Sequence, residues 1–267
     1  MVDEKGVPAG LWARCAACEH MVFEKDVEEL LGVCPECSHH RRVDARTRIR
    51  HLVDPDTFEE FATDLKSTDP LKFKDRIPYK ERLKREEAKT GESEAMIVGK
   101  AFIRGRPVIL GVMNPMFIMA SMGAVVGEKM TRAAERAIED NLPLVVVTAS
   151  GGARMQEGVV ALTQMAKTAS ALAQLDDAAG LYIVVATDPT TGGVSASFAS
   201  LGDIVLAEPK AMMGFAGPRV IQNTMNVELP EGFQTAEFMM EHGFVDRIVP
   251  RSDLRTEIAR IIDFCGK

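Results

Sequence analysis

The chain is expected to fold as an α/β domain built from a repeated strand, glycine pair and helix, with a small metal-organised ribbon ahead of it. Three observations predict this. Two Cys-x-x-Cys pairs, Cys15/Cys18 and Cys34/Cys37, stand near the N-terminus with fifteen residues between the inner cysteines. Strongly β-branched runs, LVVV at 144–147 and YIVV at 182–185, alternate with stretches of helical periodicity. A glycine pair follows each run, Gly151–Gly152 and Gly192–Gly193, 41 residues apart, so one supersecondary unit recurs.

Composition supports a folded domain and excludes several classes of protein. At 267 residues, 46% hydrophobic and 27% charged, the chain can bury one sizeable core and carry a small appendage. Its longest apolar runs, such as LYIVVA at 181–186, are too short to span a bilayer, so no membrane segment is expected. The opening MVDEKGVPAG lacks the basic-then-apolar pattern of a secretory signal, which places the chain in the cytoplasm. A net charge of -7 argues against wholesale nucleic-acid binding, yet RRVDARTRIR at 41–50 carries five arginines against one aspartate. That stretch is a local basic surface able to meet phosphates.

The elements follow in order. Each Cys-x-x-Cys supplies two thiolates on one tight knuckle, and two knuckles complete a tetrahedral sulfur site suited to zinc. Four thiolates leave no open coordination position, so the zinc at Cys15, Cys18, Cys34 and Cys37 is expected to be structural, one ion per chain. A ribbon over residues 10–42 is too small for a core of its own and would take its folding energy from the metal. His39 and His40 follow the last cysteine as exposed or outer-sphere groups, and Cys265 has no partner at metal spacing. Residues 43–95 read as a charged helical connector, with a helix start at Asp54 and Pro55 and a solvated helix through YKERLKREEAKTGE closing near Gly91. The remaining domain, 96–267, begins with two strands joined at Gly105 and a helix through SMGAVVGEKMTRAAERAIEDN. The strand LPLVVVTA then leads through Gly151 and Gly152 into a helix from about 153 to 174, and LYIVVAT leads through Gly192 and Gly193 into another. Two short strands and a helix start at Pro218 complete the pattern. Methionines 113, 116, 119 and 122 follow a three-residue spacing that suits core packing.

Glycines at a helix N-terminus can present N–H groups that no side chain screens, and such donors stabilise an oxyanion or a phosphate. Neither TASGGARM nor PTTGGVSA matches a P-loop or a G-x-G-x-x-G pattern. A single pair would be read as a sharp turn, but two pairs at equivalent places point towards a site. The histidines, His20, His39, His40, His51 and His242, all lie far in sequence from both glycine loops. Ser150 is not in a G-x-S-x-G elbow. This combination suits enolate stabilisation with the base supplied from outside the chain.

Taken together, SGGARMQE, DPTTGGVSASFASLGD, AEPKAMMGFAGPRVI, GFQTAEFMMEHGFVD, LKFKDRIPYKERL and the four-cysteine ribbon closely resemble the β subunits of bacterial acetyl-CoA carboxylase carboxyltransferase, from Gly10 to about Asp263. The resemblance implies a crotonase-like domain of repeated ββα units behind a four-cysteine zinc ribbon. It implies transfer of a carboxyl group from carboxybiotin, supplied on a carrier protein, to acetyl-CoA, giving malonyl-CoA for fatty acid synthesis. In that reaction carboxybiotin releases CO2, the biotin left behind takes the methyl proton of acetyl-CoA, and the thioester enolate attacks CO2. Carried onto this sequence, the N–H groups of Gly151 and Gly152 would hold the thioester oxygen as it becomes anionic. Gly192, Gly193, Ser195, Phe215 and Gly217 would shape the substrate pocket beside them, and Arg154 would pin the helix start. Further implications are an α subunit completing the biotin half of the site in an α2β2 heterotetramer, a biotin carboxyl carrier protein, and a separate biotin carboxylase that consumes ATP. This chain shows no ATP site and no biotin attachment motif. Ala120 and Asn114 depart from the glycine and aspartate frequent in the family. The alternatives are a carboxyltransferase for another acyl-CoA, and a regulatory module whose ribbon binds nucleic acid.

Overall fold

The computed structural model describes residues 11–267, so residue 10, where the sequence places the start of the ribbon, lies outside the described residues. Strands β1 (Trp12–Arg14) and β2 (Met21–Phe23) form an antiparallel hairpin followed by helix α1 (Glu24–Glu29). The buried apolar cluster of this unit is Cys15, Val22, Val27 and Cys34, far too small to hold a fold without a cross-link.

Helix α2 (Ala45–Leu52) starts at Asp44, whose carboxylate accepts the Thr47 N–H at 2.9 Å. Strand β3 (Glu59–Phe61) and helix α3 (Tyr79–Thr90) follow, and α3 closes on Gly91 at φ 73°. The expected helix start at Asp54 is not there. The Asp54 carboxylate instead accepts the N–H groups of Arg104 and Gly105 at 3.0 and 2.7 Å and pairs with Arg255, so it fastens the turn between the next two strands. Its local pattern with Pro55 resembles a cap, but long-range partners claim the carboxylate.

Strands β4 (Met96–Ile103) and β5 (Arg106–Met113) make an antiparallel hairpin through Gly105, and helix α4 (Ala124–Asp140) completes a ββα unit. Strand β6 (Leu144–Ser150), helix α5 (Val159–Asp177), strand β7 (Tyr182–Thr191) and the single-turn helix α6 (Gly192–Ser195) continue the repeat. Strands β8 (Ile204–Ala207) and β9 (Met213–Gly214), helices α7 (Pro218–Met225) and α8 (Ala236–Glu241), strand β10 (Arg247–Ile248) and helix α9 (Leu254–Phe264) end the chain. Two helices are shorter than their periodicity suggests. A 3-10 turn at Met155–Glu157 and Gly158 at φ 54° delay α5 to Val159, and the segment after Gly193 holds helical geometry for one turn only.

The main sheet runs β10-β8-β7-β6-β5-β4-β3, with β9 paired to the far end of β7. Strands β5 to β8 are mutually parallel and read as continuous apolar runs because both faces are covered. Alternation sends Val146 and Val184 towards α4 and α5, with Met130, Ala133 and Leu172, while Val145, Val147 and Val185 face α2 and α9, with Ile49, Leu254 and Ile258. A second tier of pairing forms beyond the strand ends. The β6–β7 register breaks between Thr148 and Ser150, Ser150 then faces Thr190, and Met122 bridges to Ala153. This tier stacks both glycine loops and the segment 114–123 against one another.

Candidate active site

The two glycine pairs meet backbone to backbone. A Cβ on Gly192, at φ 63°, would lie 2.8 Å from the Gly152 Cα, and Gly152 itself sits at φ 113°. No side chain fits between them, so the recurrence at a 41-residue interval is the recurrence of a contact. Gly193 packs beside them against Ala153, Met122 and Met165.

The donors expected at Gly151 and Gly152 are already used. Gly151 N–H donates to Met119 O at 2.8 Å, and Gly152 N–H donates to Ser150 Oγ at 3.0 Å. The Ser150 hydroxyl, fully buried, donates in turn to Ala120 O at 2.7 Å and ties the two loops together. Sequence shows an unscreened backbone; the Gly151 N–H is consumed by a segment thirty-two residues earlier, and the Gly152 N–H by the neighbouring Ser150 hydroxyl, which that segment orients. That segment is itself strained. Ile118, Met119 and Ala120 occupy the left-handed region in succession, at φ 42°, 53° and 48°, a conformation that costs a side-chain-bearing residue on the order of 1 kcal/mol each. Among the described residues, the N–H groups of Met119 and Ala153 find no hydrogen-bond acceptor, and both sit on the loops that Ser150 joins.

The methionines divide. Met113 and Met122 are buried in the core, but Met116 and Met119 are exposed, Met119 to 60% on the left-handed turn itself and Met116 two residues ahead of it. Core packing therefore holds for half of the series.

Arg154 is entirely buried and holds the loops from beneath. Its guanidinium pairs with Glu94 at 2.5 Å, donates to Ser121 O at 2.8 Å, and meets the Tyr79 hydroxyl and Ser67. Glu157 accepts the Tyr79 hydroxyl at 2.6 Å and the Ala124 N–H at 2.6 Å, which caps α4. Burial alone would raise the Glu94 carboxyl and lower the Arg154 guanidinium, but their mutual charge reverses both, and the pair stays ionised. Burial likewise raises the Tyr79 hydroxyl, which therefore stays protonated as a donor. The role foreseen for Arg154, pinning the start of the helical segment, is the one its contacts describe. Glu94, Tyr79 and Ser67 carry no local signal, since their partner lies 60 or more residues away.

The expected pocket residues do not form one wall. Ser195 and Phe215 share a cavity of about 290 Å³ with Met213, Met239 and Phe244, and Phe215 is 69% exposed. The Ser195 hydroxyl lies within hydrogen-bond distance of Gly192 O and Gly214 O, 3.0 and 2.8 Å, which engages its proton with the backbone. Gly192 N–H donates to Phe215 O at 2.9 Å, and Gly217 stands apart as the residue before Pro218 of α7.

On the opposite side, Glu208 binds two arginines, Arg48 at 2.5 Å and Arg251 at 2.7 and 2.8 Å, all buried. Burial would raise its carboxyl, but the Arg48 charge and the Arg251 hydrogen bonds bring it to about 2. Arg251 continues to Leu31 O and Arg41 O, and its own N–H donates to the buried His40 Nε2, so this knot joins the ribbon to the domain. His40 is thus a buried link and not an exposed residue. The basic stretch is largely paired, Arg41 with Glu24, Arg42 with Asp188, Arg46 with Glu60 and Glu92, and Arg48 with Glu208, while Arg50 meets no carboxylate among the described residues.

The four cysteine sulfurs lie within 4.8 Å of one another, with Cys15–Cys37 at 3.7 Å and Cys18–Cys34 at 4.0 Å. A tetrahedron of Zn–S bonds of about 2.3 Å has edges of about 3.8 Å, so the donor set fits zinc. Cys265 is exposed near the C-terminus, and no described helix is long and apolar enough to cross a membrane.

Comparison with known proteins agrees with this construction. The family described as the carboxyl transferase domain matches residues 38–262, and the acetyl-CoA carboxylase zinc finger domain matches residues 12–37. An acetyl-coenzyme A carboxylase carboxyl transferase subunit beta from Rhodopirellula baltica is 54% identical over 99% of this chain and 85% of its own length. One from Clostridium botulinum is 53% identical over 96% and 88%. Among solved structures, a transcarboxylase 12S with methylmalonyl-coenzyme A bound superposes with a TM-score of 0.69 at 24% identity, over 84% of this chain and 41% of that one. A Pseudomonas malonate decarboxylase hetero-tetramer gives 0.66 at 24% identity, over 89% and 87%. These last likenesses concern the fold, a carboxyl transferase domain of the crotonase type.

Proposed function

Because this chain belongs to the carboxyl transferase family, as a zinc-ribbon β subunit of acetyl-CoA carboxylase, we propose a specific division of labour for its carboxyl transfer from carboxybiotin to acetyl-CoA. The observation that carries the functional reading is the union, over nearly the whole chain, of a four-thiolate ribbon with a carboxyl transferase domain. Zinc bound by Cys15, Cys18, Cys34 and Cys37 is a closed, structural ion and takes no part in the chemistry.

The thioester oxygen sits against the joined turn 118–120 and loop 151–153. Its donors are the N–H groups of Met119 and Ala153, which have no acceptor among the described residues, in place of those of Gly151 and Gly152. The glycines contribute close approach, Ser150 locks the loops, and the Arg154–Glu94–Glu157 cluster keeps the donors from relaxing as charge develops.

As a carboxyltransferase subunit the chain works within a multisubunit, biotin-dependent assembly. An α subunit completes the biotin half of the site in an α2β2 unit, with the carrier protein and biotin carboxylase upstream, in the cytoplasm. Support for the α contact comes from Met119, Met155, Val159 and Leu162, which are 60%, 64%, 66% and 56% exposed, the first two on the loops of the site and the last two one turn apart at the start of α5. The test is carboxyl transfer from malonyl-CoA to a biotin derivative by the αβ assembly. Ala153→Pro, which removes one donor, should lower kcat roughly 10²–10³-fold with little change in KM. Unchanged kcat in a variant of parental melting temperature would refute the assignment of donors.

A further inference from the structure

A cleft of about 760 Å³ separates the ribbon from α2, lined by Glu24, Glu28, Arg41, Arg42, Arg50, His51 and Met116 among others. We propose that this cleft binds the phosphate-bearing end of the acyl-CoA substrate, an inference that rests on the carboxyltransferase reading and extends it to a substrate subsite. The donors there exceed their partners. Arg42 engages only Nε, with Asp188 at 2.9 Å; Arg41 engages Nη1 with Glu24 at 2.7 and 2.9 Å; Arg50 engages Nη2 with the neutral Thr47 hydroxyl. Arg41 Nη2 and His51 Nδ1 are buried without any partner. Those two atoms are sealed from the cleft, whereas Arg42 and Arg50 are exposed and keep guanidinium N–H groups without a protein acceptor, and a phosphate oxygen is a strong acceptor for them.

The acids of the cleft are partly engaged already. Glu24 pairs with Arg41, and Asp44 is turned to the Thr47 N–H and hydroxyl with Arg50 nearby, so Glu28 on the ribbon wall is the lining carboxylate with neither an ion pair nor a side-chain hydrogen bond among the described residues. Position supports the same reading. Met116 lies three residues before Met119 on the segment that carries the proposed oxyanion donor, and Asp188, which orients Arg42, belongs to the strand that runs into Gly192. The cleft is thus linked to the reaction site directly by the segment that holds Met116 and, through the Arg42–Asp188 ion pair, by the strand that runs into Gly192. Acyl-CoA is a thioester that also carries phosphates, so it offers one group to each place.

The experiment compares malonyl-CoA with malonyl-pantetheine, which lacks every phosphate, in the assembled αβ complex, and measures binding of CoA itself by calorimetry. Arg50→Ala and Arg42→Ala should each weaken CoA and raise the malonyl-CoA KM roughly tenfold or more. Both should leave kcat and the malonyl-pantetheine KM at parental values, and Arg50→Lys should recover part of the loss. Variants that weaken both substrates equally, or neither, would overturn the proposal. So would a steeply salt-dependent affinity for an RNA oligomer that the same substitutions abolish while CoA binding persists, since the cleft would then serve nucleic acid. If the parental complex transferred no carboxyl group, the functional reading would fail separately, and the calorimetric arm would still decide whether the cleft takes CoA.

Discussion

Replacing Gly192 by alanine tests whether the paired glycines exist for contact. At φ 63° an alanine adopts the left-handed region at a cost of roughly 1–2 kcal/mol. Its Cβ would then sit 2.8 Å from Gly152 Cα, 3.7 Å from Gly152 N and 3.8 Å from Ala153 N, all of them backbone atoms that cannot rotate away. Forcing one carbon into so close a space adds about 1–3 kcal/mol. The sum, about 2–5 kcal/mol, is a large part of the 5–15 kcal/mol that stabilises a typical domain. Gly151→Ala is the matched control. Its Cβ would meet the Met119 side chain at 3.3 and 3.4 Å, and the terminal methyl of that exposed methionine can move aside, so a loss of about 1 kcal/mol or less is expected. Urea unfolding of both variants, followed by far-ultraviolet circular dichroism, measures the difference. Equal losses, or a greater loss at Gly151, would refute the argument that backbone contact dictates the second pair.

Other outcomes follow from the same contacts. Glu94→Ala strands the Arg154 guanidinium in a fully buried site, and should cost about 3–5 kcal/mol and most of the activity; equilibrium unfolding and carboxyl transfer measure both. Glu208 has a folded value of about 2 against an ordinary 4.5, so its contribution is complete above pH 4.5 and is lost as pH falls through 2. Glu208→Gln should therefore flatten the fall of the urea midpoint between those limits, and an unchanged acid profile would count against the knot. Chelating zinc, or Cys34→Ala, should open the ribbon to proteolysis near residues 11–37 while the β6–β7 core stays protected from hydrogen exchange.

Much of this protein could be read from local pattern. The thiolate spacing predicts the ribbon because a zinc site needs only two short knuckles, and the β-branched runs at 144–147 and 182–185 predict buried parallel strands because both faces must be apolar. Gly105 and Gly91 mark a turn and a helix end because each must take a positive φ, and each does. Misreadings arise where a local signal has a distant competitor. Asp54 resembles a helix cap but serves a hairpin fifty residues away, and His40 resembles a surface residue but accepts from Arg251.

By itself, then, the sequence determined the class of fold and the metal ligands, which rest on periodicity and spacing along the chain, and the family, which rests on the resemblance of its motifs. Tertiary structure alone decided where the backbone donor of Gly151 goes, which N–H groups of the two loops keep no acceptor among the described residues, and which carboxylates hold Arg154, Arg48 and Arg251. The reason is that a hydrogen-bond donor is a property of one residue, whereas its availability depends on whatever distant segment the fold brings within about 3 Å.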